Sequence, residues 1–154
     1  MDSEKIDFFK RKYIGFLGSI DPVQKPNWGK MNFQQMVEHM SDSFRIANGK
    51  DLHQLHTPVD AVEKFKSFAM SDKAFKENTK NALLPEEPAL IRNKNSELAI
   101  SELQTEINDF FSVFHANPSK TITNPFFGDL NFGEWVHLLH KHAVHHLIQF
   151  RVNL

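Results

Sequence analysis

Apolar residues recur at helical spacing in four stretches of the chain, separated by polar loops that carry Pro, Gly and Asn. The first stretch, about Ser3 to Leu17, places Ile6, Phe9, Tyr13, Phe16 and Leu17 between Lys and Arg residues, which predicts an amphipathic helix stopped by Gly18. After Asp21-Pro22 and Pro26-Asn27, Asn32 and Gln35 have the spacing of a capping box, and Met31 and Met36 that of a hydrophobic staple. A second helix is therefore predicted from Phe33 to about Ala47, burying Phe33, Met36, Val37, Met40 and Phe44 and ending at Asn48-Gly49.

Between Lys50 and Asn95 the pattern weakens. Asp60 and Glu63 suggest a cap for a short helix through Val62, Phe65 and Ala69, and Leu83-Leu84-Pro85-Glu86-Glu87-Pro88 reads as extended chain. A third long helix is predicted from about Glu97 to Ala116, with Ile100, Leu103, Ile107, Phe110, Phe111 and Phe114 in one stripe and Asn117-Pro118 as its stop. Ser119 to Leu130 reads as a loop; then Asn131 and Glu134 repeat the capping box, with Leu130 and Trp135 as the staple, and a fourth helix runs to about Phe150. Without strand-like alternation or internal repeats, the pattern predicts an all-α four-helix bundle. It would have a long crossover between helices two and three and form one domain over residues 1–154.

Composition narrows the chemistry. A chain of 154 residues needs no disulfide or metal merely to fold, so any metal it holds is suspect as functional. Lys plus Arg is 18 and Asp plus Glu 19, a net charge of -1 that gives nucleic acid nothing to grip. Cysteine is absent, which removes disulfides, thiolate metal ligands and a cysteine nucleophile. The polar start, Met-Asp-Ser-Glu-Lys, lacks the features of a signal peptide and no stretch is long enough to span a membrane, so the expectation is a cytoplasmic protein without a membrane partner. Nine histidines are what stands out.

Five of them, His137, His140, His142, His145 and His146, fall on the fourth helix. His142 and His146 are four apart, one turn from each other, the spacing at which two imidazoles grip one ion. Trp135 and Gln149 share that side, His145 flanks it, and His137 and His140 point largely away, which predicts solvated residues. On the second helix His39 lies mid-element, with Gln35 and Ser43 beside it. If the two helices are neighbours, His39, His142 and His146 offer three neutral nitrogens and leave a coordination position open, as catalytic rather than structural zinc sites do. Imidazole also suits nickel, iron and copper, so the donors leave the divalent metal open. The bland reading is that these are ordinary core or surface histidines, and that His53, His56 and His115 do nothing specific. Trp28, Trp135 and Phe126-Phe127 are expected to close the ends of the bundle.

Trp28-Gly29-Lys30-Met31 leading into Gln35-Met36-x-x-His39-Met40, then Pro125-x-Phe127-Gly128, Glu134-Trp135 and Lys141-His142-x-x-His145-His146-Leu147-x-Gln149-Phe150, resembles the DinB-like superfamily, in a bacterial branch of unknown function. The resemblance runs through the whole chain in order, with its motifs concentrated on helices two and four. It implies a four-helix bundle, often dimeric, that binds a divalent ion, zinc or nickel first and iron next, through His39, His142 and His146. His145, Gln149, Gln35, Ser43 and Trp135 are the expected surroundings of that ion, with His145 the alternative to His146 as its third ligand. Family members often have His where Asn124 stands, so a role for that loop is in doubt.

Superfamily members include transferases that join a low-molecular-weight thiol to an electrophile, and metal-dependent hydrolases. A metal that acidifies a bound thiol needs no protein cysteine, so the first chemistry suits a chain without one. Hydrolysis would prefer a carboxylate base near the metal. Glu38 lies about 100° from the His39 face and Glu134 at the far end of its helix, leaving Glu102 or Glu106 of the third helix as candidates. A non-catalytic metal-binding or interaction bundle is the third reading, and the many Phe residues favour a homodimer.

Overall fold

In the computed structural model, which describes residues 2–79, 81 and 83–154, most of the chain is helical. The N-terminal stretch is one unbroken helix in three parts: α1 (Ser3–Asp7), a π-helical turn (Phe8–Lys12) and α2 (Tyr13–Ser19). The turn has a physical cause. Phe9, Tyr13 and Leu17 are spaced by four, which drifts around a regular helix of 3.6 residues per turn, and the wider π turn brings them back to one side. All three are buried, at 1%, 0% and 0% exposure.

α3 (Phe33–Ala47) starts at the expected capping box: Asn32 Oδ1 accepts from Gln35 N at 2.8 Å, and Gln35 Oε1 accepts from Asn32 N at 2.8 Å. α4 (Val62–Met70) forms without any side-chain cap, so Asp60 does not serve as one. α5 (Ser96–Ala116) is capped by Asn95 and α6 (Phe132–Gln149) by the Asn131–Glu134 box. The segment read as a plain loop contains instead a small antiparallel hairpin, β1 (Ile122–Asn124) and β2 (Gly128–Leu130), with Ile122 opposite Leu130. Two local devices close it: Asn124 Oδ1 accepts from the backbone N–H groups of Phe126 and Phe127, and Gly128 adopts φ 79°. Strands of three residues are too short to show alternation.

α3 packs most extensively on α5, with Phe44 edge-on to both Phe9 and Phe110, and α6 lies against α3 and α4. Among the described residues no helix is long and apolar enough to cross a membrane.

The end of the crossover is fastened to α3 by Glu38, which is 4% exposed. Its carboxylate accepts from the backbone N–H groups of Arg92 and Asn93 and from the side chains of Asn93 and Gln34. Burial alone would raise its pKa; those hydrogen bonds outweigh burial and hold it below the ordinary value. Glu38→Ala removes the common acceptor and should cost about 2 kcal/mol in urea unfolding, with faster amide exchange at residues 92 and 93 as its local signature.

Candidate metal centre

α3 and α6 bring His39, His142 and His146 together, and one ring nitrogen from each lies within 4.8 Å of the others. His142 is central: its Nε2 is 3.0 Å from His39 Nε2 and 2.9 Å from His146 Nε2. His146 is buried, while His39 and His142 remain partly exposed, so the cluster has an inner end and an outer edge.

The outer contacts of the rings decide where their protons sit. Gln149 Nε2 donates to the Trp28 carbonyl at 2.9 Å, which fixes the orientation of that amide and leaves Oε1 facing His146 Nδ1 at 2.7 Å. His146 must then donate from Nδ1, so its Nε2 presents a bare lone pair. Ser43 Oγ donates to the His39 carbonyl at 3.2 Å and faces His142 Nδ1 at 3.4 Å, so its free lone pairs favour the same tautomer in His142. With both rings in that tautomer, two bare nitrogens 2.9 Å apart would repel each other unless a cation lay between them.

All three rings are held neutral. Burial, with the His145 ring's charge adding to it, lowers His39 to about 4. Burial and His39 lower His146 to about 3, against a Gln149 contact that pulls the other way. Burial followed by its three histidine neighbours puts His142 well below the ordinary value. Neutral imidazoles with convergent Nε2 atoms are what a divalent ion requires, and among the described residues this group contains no carboxylate.

The remaining candidates divide. Gln149 and Ser43 touch the trio, as above. His145 turns its ring to Trp28 and Phe75, at 5.3 and 6.1 Å, and stands beside the cluster rather than in it. Gln35 uses Oε1 in the capping box and donates from Nε2 to the Ala89 carbonyl. Trp135 is buried under the hairpin, its indole N–H donating to the Ile122 carbonyl. The two glutamates considered as bases are engaged elsewhere, Glu106 with Arg45 and Lys50 and Glu102 with Arg92 and Asn93, and Glu134, set aside as too distant, pairs with Lys66.

His137 and His140, expected to be solvated, are packed instead. His137 donates from Nε2 to the Ser71 carbonyl and accepts at Nδ1 from Lys5 at 3.0 Å, and His140 lies edge-on to Phe8 at 4.8 Å. The N-terminal helix covers that side of α6, which no periodicity within α6 could reveal. Phe75 is the residue that sequence reasoning missed: it lies 6.3 Å from the His142 ring, and a single Phe in a polar stretch was its only signal.

Two surface clefts, about 440 and 550 Å³, are lined by residues such as His53 and Thr121 or Pro118 and Phe132, and neither includes a member of the trio. Gly29 completes the surroundings of the trio: its φ is +81°, and a Cβ there would stand 3.0 Å from Gln149 Nε2. Gln149→Leu is expected to free the His146 ring and weaken divalent-metal affinity roughly 10- to 100-fold, read by competition with a chromophoric chelator.

No family model matches the chain, and no curated protein or solved structure shows significant similarity to it.

Proposed function

We propose that the chain is a DinB-like, metal-dependent enzyme that joins a low-molecular-weight thiol to an electrophile. In this reading the fold is a four-helix bundle made of the continuous N-terminal helix, α3, α5 and α6, with α4 as an addition to the crossover. The observation that carries it is the convergence of three neutral imidazoles whose Nε2 atoms meet no other side chain among the described residues.

His39, His142 and His146 would hold the ion, and a three-nitrogen set leaves room for a further ligand. Zinc or nickel is the ion the resemblance implies first, with iron next, and imidazole donors suit all three. A divalent ion there supplies acidity, lowering the pKa of a coordinated thiol so that thiolate exists at neutral pH. The protein's own part is orientation. Gln149 keeps the proton of His146 on Nδ1, Ser43 does the same for His142, and the buried inner end keeps water away from one side of the cluster.

Hydrolysis is the weaker alternative, because Glu38, Glu102, Glu106 and Glu134 are each committed to other partners. The test is a panel of cellular thiols and soft electrophiles with metal-loaded protein, followed by mass spectrometry for thioether products. Product formation that requires both metal and thiol is the expected result. Ester or amide cleavage without thiol would replace this reading by the hydrolase one, and metal uptake with neither chemistry would leave a non-catalytic bundle.

A further inference from the structure

The outer edge of the histidine cluster is bordered by two aromatic rings that metal binding does not need, one of which, Phe75, rests part of its surface against the core. Trp28 and Phe75 are both partly exposed, and they approach the His145 ring at 5.3 and 6.1 Å. Phe75 also stands perpendicular to the His142 ring, at 6.3 Å and 89°.

Both rings are held in place. Trp28 is anchored to the end of α6: its carbonyl accepts from Gln149 Nε2, and the preceding Asn27 donates from its backbone N–H to the Gln149 carbonyl at 2.8 Å and from Nδ2 to the Ile148 carbonyl at 3.2 Å. Phe75 is fixed from α6 as well. Lys141 Nζ lies 4.9 Å from its ring centre while donating to the Phe68, Ala69 and Ser71 carbonyls at the end of α4, and the Ser71 carbonyl also accepts from His137. The part of the Phe75 ring that the core leaves uncovered is apolar surface on an otherwise polar segment, which an apolar ligand group would cover favourably.

Resting on the metal-site reading above, we infer that Trp28 and Phe75 form an aromatic clamp at the open edge of the site. The ligand the clamp selects is a thiol whose sulfur binds the ion and whose remainder is a flat aromatic group. The sulfur reaches the ion past the partly exposed His39 and His142, and the ring it carries lies against the two aromatic side chains. Aromatic pairs prefer offset or edge-to-face contact, geometries a saturated ring of equal size does not reproduce.

The test uses the full chain loaded with cobalt(II), titrated with 2-phenylethanethiol and with 2-cyclohexylethanethiol, which share a donor and nearly a size. Sulfur-to-cobalt absorption reports binding. About tenfold tighter binding of the phenyl compound is expected, falling to within about twofold in both Phe75→Leu and Trp28→Leu while cobalt uptake stays at the wild-type level. Cobalt uptake with equal or no binding of the two thiols overturns the clamp alone, as does a preference that survives both substitutions. A wild-type chain that takes up no cobalt overturns the metal site and the clamp together.

Discussion

His142→Ala is expected to leave the purified chain without a divalent ion where the wild type carries about one, a larger effect than any other single change to the site. The reason is positional. His142 Nε2 is the atom within 3.0 Å of both other Nε2 atoms, whereas His39 and His146 each meet it from one side. Removing it leaves two nitrogens on different helices without the donor between them, while the packing around Ala143 and Leu147, both fully buried on the same helix, is untouched. The variant should therefore still fold. Two measurements check this: elemental analysis of untagged protein, and thermal unfolding with and without added metal. An ion present at a thousand times its dissociation constant stabilises the folded chain by about 4 kcal/mol, and that increment should vanish in the variant. Metal content that survives in His142→Ala would place the ion elsewhere.

The second large effect is on the metal-free protein, whose stability should fall steeply below pH 6.5. His39 and His146 have an ordinary pKa of 6.5 when unfolded but about 4 and about 3 in the folded chain, lowered chiefly by burial. Below 6.5 the unfolded chain binds protons that the folded one refuses, so their stabilisation is complete above that value and is lost as pH falls towards 4 and then 3. Each such histidine contributes a slope of roughly 1.4 kcal/mol per pH unit across its window. Urea unfolding of chelator-treated protein at pH 7, 6 and 5 checks the slope, which should be shallower in His146→Ala. The same lowered values predict metal affinity nearly level between about pH 8 and 6, because few protons compete for the nitrogens. A metal-free chain equally stable at pH 7 and 5 would contradict the buried, neutral state of the trio.

The elements that could be read from the sequence are those with local causes. α3 and α6 begin where Asn32 and Asn131 meet Gln35 and Glu134 three residues later, because a capping box is complete within four residues. His142 and His146 stand on one face for the same reason, and His39 joined them on the assumption that α3 and α6 are neighbours, which they are. What could not be read depends on contacts between distant parts of the chain. The packing of His137 and His140 is decided by Lys5 and Phe8, and the fastening of the crossover by a glutamate some fifty residues before the amides it binds. Phe75 is held at the site by distant parts of the chain, Lys141 lying over its ring while it donates to the end of α4, and the core packing against it. The hairpin at Ile122–Leu130 went unread because its strands are three residues each.

The π turn at Phe8–Lys12 holds one residue more than a regular helix needs to cover nearly the same rotation. Deleting Arg11 would let the helix close as a regular α-helix while α1 keeps nearly its present rotation relative to α2. Lys5, now 3.0 Å from His137 Nδ1, and Phe8, now against His140, would stay on α6. A second deletion has no surplus residue to take up, so everything before it would turn by about 100° and carry both side chains off the histidine-bearing helix. Loss of one codon at this place should therefore be tolerated, and loss of two should separate the first helix from α6.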